Sequence, residues 1–250
     1  MRLFRKIRKN LLISGKLRSY IVYAIGEILL IVIGVLIAWK INNLNELRKN
    51  RIVELKIYQS LNEELNANMI LLDASIASYS KNRITIENTI DIIMAEQQED
   101  LEINEKLDLI DVDYKPTKLH NGAINSVNTT NKFEFIESVL LKDLIAAYPN
   151  ELDNFENQET KIENIIVNRL QPAIEKYISL IDILTKREFK INRIETFSVE
   201  SNYDKLLKSR EYQNCLVDRL LQTEIQLTNA ISLRDKTQTI ALNLNKELKN

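Results

Sequence analysis

The chain is poor in the residues that let a backbone turn. Four glycines and three prolines occur among 250 residues, where average usage would give about thirty of the two together. Sheets, tight hairpins and phosphate-cradling loops draw on glycine for positive φ or close backbone approach. A β-sandwich, a nucleotide-binding α/β domain and a P-loop enzyme are therefore nearly excluded, and an all-α chain of long helices is expected. One histidine, His120, and one cysteine, Cys215, leave little material for a nucleophilic triad, a Cys/His zinc site or a disulfide framework. No cofactor or metal site is expected. An excess of one charge is missing too. Thirty-four basic and 35 acidic residues give a net charge of −1, so no global polyanion-binding surface is indicated.

What is present is segregated. Arg2, Arg5, Lys6, Arg8, Lys9, Lys16 and Arg18 precede every acidic residue, and an apolar run, IVYAIGEILLIVIGVLIAW, follows from Ile21 to Trp39 with one charge in it. As a helix this run spans about 28 Å, close to the roughly 30 Å hydrocarbon core of a bilayer. Tyr20 and Tyr23 at one end and Trp39 at the other suit the two interfaces. The run ends in Ala-Trp-Lys-Ile rather than in the small residues of a signal-peptide cleavage site, so an uncleaved anchor is expected. The basic residues before the span outnumber Lys40, Arg48, Lys49 and Arg51 after it, which predicts a cytoplasmic N-terminus and an exported, periplasmic C-terminal domain in a bacterial inner membrane. Phe4, Ile7 and Leu11 lie at helical spacing in the basic head, which suits contact with anionic membrane lipids. Without aromatic stacking residues it does not suit nucleic acid.

Two features of the span exceed what an inert anchor needs. Gly26, Leu30, Gly34 and Ala38 recur every fourth residue, and Gly34-x-x-x-Ala38 is a small-residue ridge that permits close helix approach. Glu27 places an acid in the apolar run, at a cost of roughly 2.5–3.5 kcal/mol near a bilayer centre. Steps of four and seven return Tyr23, Glu27, Gly34 and Ala38 to one helical face. These residues, with Gly26, form the expected helix-packing site of a homo-oligomer or of a membrane-protein partner. A Glu27 near a locally thinned interface and a Glu27 that conducts protons are the alternatives.

Beyond the span, no glycine or proline occurs from Asn43 to Ala95, so the membrane helix is expected to continue outward. A 3-4 pattern at Leu55, Tyr58, Asn62, Leu65, Met69, Leu72, Ile76, Tyr79, Arg83, Ile86, Ile90 and Ile93 predicts a coiled-coil-like seam or a bundle core. A connector holding Pro116 follows over 101–118, and Asn121-Gly122 is the clearest turn signal. Short helices are expected at Ala123–Val127 and at Glu134–Tyr148, the latter stopped by Pro149. A long helix at 151–190 should turn Ile162, Ile166, Ala173, Tyr177, Leu180 and Leu184 inward and be kinked or divided by Pro172. Another over 203–248 should bury Leu216, Leu220, Leu227, Ala230, Ala241 and Leu244. The expected organisation is a basic amphipathic cytoplasmic segment at 1–19, a transmembrane helix at 20–41, and an extramembrane region at 42–250. That region is an elongated antiparallel helical bundle with a connector and short helices at about 97–150.

Little chemistry is on offer. His120 reads as a solvated loop residue and Cys215 as a small buried hydrophobe, with a crosslink between two chains as the alternative for the cysteine if the domain is exported. Glu63-Glu64 and Glu99-Asp100 read as solvated helix faces, and Asn128-Thr129-Thr130 is a glycosylation sequon of a kind that arises often by chance. No enzymatic activity is expected.

Residues Tyr23–Asn50, YAIGEILLIVIGVLIAWKINNLNELRKN, resemble the N-terminal signature of a family of bacterial proteins known only as a domain of unknown function. The shared features are Tyr23-Ala24-Ile25-Gly26-Glu27-Ile28, the apolar run with Gly34, Ile41-Asn42-Asn43, Asn45-Glu46 and Arg48-Lys49. Leu44 stands where the family usually has Trp. A weaker similarity covers His120–Tyr148, with Asn128-Thr129-Thr130-Asn131-Lys132 in place of a Ser-Gly-Lys turn. The resemblance implies a single-span membrane protein with a helical outer domain, and it brings no activity, substrate or cofactor. The functional expectation is a membrane-anchored scaffold or sensor acting through oligomerisation or partner binding. The alternative is an accessory subunit of a transport, channel or motor complex that uses Glu27.

Overall fold

The computed structural model describes residues 17–95, 103–179, 181 and 201–249. Among these residues every element is helical and no strand occurs. The elements are α1 (Leu17–Met94), α2 (Ile103–Leu109), α3 (Gly122–Thr129), a 3-10 turn (Asn131–Phe135), α4 (Val139–Ile165), a π turn (Ile166–Leu170), α5 (Gln171–Glu175), α6 (Tyr203–Leu207) and α7 (Arg210–Lys249). The chain divides into two compact units, 1–54 and 55–250.

In the first unit, the described residues form the start of α1. One window of 18 residues there has a mean hydropathy of 2.7 and none of it is covered. Among the described residues one helix, near the N-terminus, is long and apolar enough to cross a membrane.

The second unit buries two apolar clusters. One joins Tyr58, Leu61, Leu65 and Leu72 of α1 to Leu141–Phe155 of α4 and Ala230–Leu244 of α7. The other joins Leu109 and Ile110 to Ile162–Ile178 and Leu206–Leu216. Contacts between α4 and α7 run in opposite chain order. Tyr148 meets Thr237 at 2.8 Å, Glu151 meets Lys236 at 2.5 Å and Gln158 meets Gln222 at 2.9 Å, and Arg169 of the π turn that follows meets Asp218. The same order holds between α1 and α7 at Asn62–Asn245 (3.2 Å), Asp73–Arg234 (3.0 Å) and Arg83–Glu224 (3.3 Å).

The buried face of α1 differs from the expected seam at every other position. Tyr58, Leu65, Leu72, Tyr79 and Ile86 are buried as expected, but their companions are Leu61, Asn68, Ser75 and Thr89, one residue before Asn62, Met69, Ile76 and Ile90. The apolar pattern misleads because Asn68 and Ser75 are buried with hydrogen-bond partners, so their polarity is satisfied rather than penalised. In α7, Leu216, Ala230, Ala241 and Leu244 are buried as expected. There Arg219, Thr223 and Gln226 occupy the core, while Leu220 and Leu227 are only half-buried.

Of the two prolines expected to interrupt a helix, Pro172 does so, with a new element starting at Gln171, and Pro149 does not. Pro149 does not stop a helix; it lies inside α4, which runs from Val139 to Ile165. Proline cannot bond the carbonyl four residues back, and the carbonyl of Ile145 instead accepts from Asn128 Nδ2 at 3.2 Å. Near Pro172 the helix widens into the π turn, with Gln171 N–H bonded to Ile166 O. It resumes as α5, with Pro172 in the first turn, where no donor is missed. Helix α7 starts at Arg210 rather than 203, because Lys208-Ser209 separates it from α6. The helix expected to run to 190 ends at Glu175, with a turn and bend over 176–178, and Leu180 and Leu184 lie outside the described residues.

Candidate functional site

Two places hold polar groups where the solvent does not explain them. The first is the face of α1 proposed by the sequence. Tyr23 and Glu27 are half-buried, whereas Gly26, Gly34 and Ala38 are exposed. The helix brings Tyr23, Glu27, Gly34 and Ala38 to one side by its period alone. A Cβ added to Gly26 or Gly34 would meet nothing within 4 Å, so nothing packed against these residues within the chain calls for glycine. In a helix interior each glycine costs about 1 kcal/mol relative to alanine. Of the basic head, Arg18 is exposed on the first turn of α1, and Arg2, Arg5, Lys6, Arg8, Lys9 and Lys16 lie outside the described residues, as do Phe4, Ile7 and Leu11.

The second place was not legible in the sequence. Residues 110–121 form no helix and cross the second unit as a strap. Its main chain is held by side chains from α1, α4 and α7. Arg219, 2% exposed, donates to the carbonyls of Asp111 and Asp113, the latter at 3.2 Å. Asn68 clamps the peptide of His120 from both sides, accepting from its N–H and donating to its C=O, each at 2.7 Å. Glu64 then caps α3, accepting from Ala123 N–H at 2.6 Å and Ile124 N–H at 3.0 Å. Glu64 is therefore a buttress rather than a solvated helix face; Glu63 next to it is exposed and pairs with Gln59. Asn121, the expected turn residue, makes no side-chain cap.

Between the two apolar clusters lies a polar layer. Glu159 of α4, 4% exposed, accepts from the Thr117 N–H at 2.8 Å and meets the Tyr79 hydroxyl. The Tyr79 hydroxyl also meets Thr117 Oγ1 at 2.9 Å, and Thr117 Oγ1 meets Ser75 Oγ at 2.6 Å. Burial pushes the Glu159 carboxyl up and pushes the phenols of Tyr79 and Tyr114 up as well. Gln226 is fully buried beside Tyr79, and its amide atoms and the Tyr114 hydroxyl have no hydrogen-bond partner among the described atoms. Burial likewise lowers the Arg219 guanidinium.

The remaining reactive residues stand apart. His120 is exposed, and Cys215 is buried with its thiol pushed up by burial. Asn128 of the sequon spends its amide on the carbonyls of Ile124 and Ile145, at 3.1 and 3.2 Å. Among the described residues no group of three or more His, Cys, Asp or Glu is placed to hold a metal ion. The fold is thus that of an all-helical protein with one long apolar N-terminal helix. No family model matches the chain, and neither curated proteins nor solved structures give a match.

Proposed function

We propose that the chain is a single-pass membrane-anchored helical protein, without enzymatic activity, that serves as a scaffold or sensor by associating with itself or with a membrane partner. The observation that carries this reading is the uncovered apolar window of α1, a surface that water disfavours and a bilayer accepts. The resemblance of Tyr23–Asn50 to a family of single-span bacterial proteins supports it, and membership of that family is part of the proposal. The N-terminus is cytoplasmic and the 42–250 region periplasmic, a reading supported by the lysine and arginine imbalance across the span. That region is an antiparallel bundle with coiled-coil-like packing, supported by the opposed order of the α1–α7 and α4–α7 contacts.

The helix-packing face is Tyr23, Gly26, Glu27, Gly34 and Ala38, with Glu27 hydrogen-bonding between helices. Open space above Gly26 and Gly34 supports this, because a second helix then has room to approach closely. Crosslinking in native membranes is expected to yield oligomers that Glu27→Gln and Gly34→Leu weaken; oligomers unchanged in both variants would sink the packing face. In the second reading, an accessory subunit of a transport, channel or motor complex, Glu27→Gln also changes proton flux in reconstituted vesicles. A reporter fused after Asn250 is expected to be active only on the exported side.

A further inference from the structure

The Asn121-Gly122 pair does more than turn the chain. Ring closure to a succinimide needs an asparagine side chain free to reach the next peptide nitrogen. It is easiest before glycine, whose missing Cβ leaves that nitrogen unshielded. Both conditions hold here. Asn121 is exposed and, although it stands at the N-cap of α3, its side chain makes no capping hydrogen bond. Gly122 is exposed as well, and as the first residue of α3 its N–H is one of the donors a helix leaves without an internal partner. No other asparagine in the chain precedes a glycine. Asn125, one turn on, is followed by Ser126, whose nitrogen lies inside α3 where the bond four residues back engages it.

The cap that Asn121 leaves unmade is supplied by α1. Glu64 accepts from the N–H groups of Ala123 and Ile124, the two donors that an N-cap side chain ordinarily takes. One turn along α1, Asn68 holds the His120 peptide from both sides. Residues 121–122 therefore bridge two anchors on one helix, His120 on Asn68 and Ala123 on Glu64. Neither anchor holds the Asn121 amide or the Gly122 nitrogen. The Glu64 carboxylate is close at hand all the same, with Oε2 3.6 Å from where a Cβ on Gly122 would stand.

We infer that Asn121 is a site of spontaneous deamidation, and that the product rewires the fastening of α3. The Gly122 nitrogen gives its proton to solvent base and attacks Asn121 Cγ; the bond from Cγ to the side-chain nitrogen breaks and ammonia leaves. Water then opens the succinimide at either carbonyl. One opening gives aspartate in the original main chain, the other isoaspartate with one extra main-chain carbon. Aspartate sets a carboxylate at the N-cap, where it competes with Glu64 for the same two N–H groups and repels it. A cap supplied by α1 is exchanged for a local one, and α3 loses that tie to α1. Isoaspartate lengthens the stretch between the two anchors, so His120 and Ala123 no longer both reach theirs.

The test is peptide mapping by mass spectrometry of the full chain in detergent, aged at mildly alkaline pH beside a synthetic peptide of residues 118–125. Residue 121 is expected to show the mass change of amide to acid, as a mixture of aspartate and isoaspartate, ahead of Asn125. Gly122→Ala should slow the conversion several-fold. Asn68→Ala frees the His120 peptide and should speed conversion towards the rate of the free peptide. The rewiring is read in a double-mutant cycle by denaturant unfolding: Glu64→Gln should cost less stability in an Asn121→Asp background than in the native sequence. An Asn121 amide still intact once the free peptide has converted, or conversion no faster than at Asn125, overturns the deamidation site. Additive costs in the cycle overturn the rewiring.

Discussion

Asn68 gives His120 what a neighbouring β-strand would give it, an acceptor for its N–H and a donor for its C=O from one amide. Because Asn68 is fully buried, Asn68→Ala removes two bonds and strands the strap peptide beside a small void. A loss of about 1–3 kcal/mol is expected in denaturant unfolding, and no loss would mean that the clamp is not made. Glu159 sets the pH response at the same scale. Its folded carboxyl titrates above its unfolded value, so the stability it adds is fully present below the unfolded value and is lost as pH rises through the folded one. Unfolding free energy measured against pH should therefore decline over that window in the wild type and follow a flatter course in Glu159→Gln.

At the scale of elements, α4 persists through Pro149 because another helix supplies the missing donor. Asn128, at the end of α3, reaches the Ile145 carbonyl that the proline leaves free. Asn128→Ala should therefore cost more in the native sequence than in a Pro149→Ala background, where the restored N–H of residue 149 can take that carbonyl. Additive costs in the double-mutant cycle would rule out the coupling. The sequence disclosed the helices but not this rescue, since proline reads locally as a stop and Asn128 lies in a different element. It also disclosed one column of the α1 seam, Tyr58, Leu65, Leu72, Tyr79 and Ile86, and missed the other. Hydropathy favoured Met69 and Ile76 over Asn68 and Ser75, because the partners that make those polar residues welcome in a core arrive from the strap, tens of residues along the chain. The polar layer was hidden for the same reason. Glu159, Tyr79 and Thr117 share no spacing and meet only after folding.

The whole molecule combines an uncovered apolar helix segment, in the unit ending at Glu54, with a unit that buries its own two cores. A chain of this composition should sediment with membranes through high-salt and alkaline washes and enter solution only with detergent. Recovery in the wash supernatant would contradict a spanning anchor. At this scale the sequence was most informative, because an apolar run between basic and polar flanks is a local property that needs no tertiary partner to be recognised.

The strap is fastened chiefly through its peptide groups: the carbonyls of Asp111, Asp113 and His120, and the N–H groups of Thr117 and His120. Peptide groups are the same whichever side chain they carry. In a saturation library the strap's own exposed His120 should accept most replacements, whereas Asn68, Glu159 and Arg219 should accept few. The specification of the loop is thus written in the helices, and random change would reach it through residues that a reader of the loop alone would never inspect.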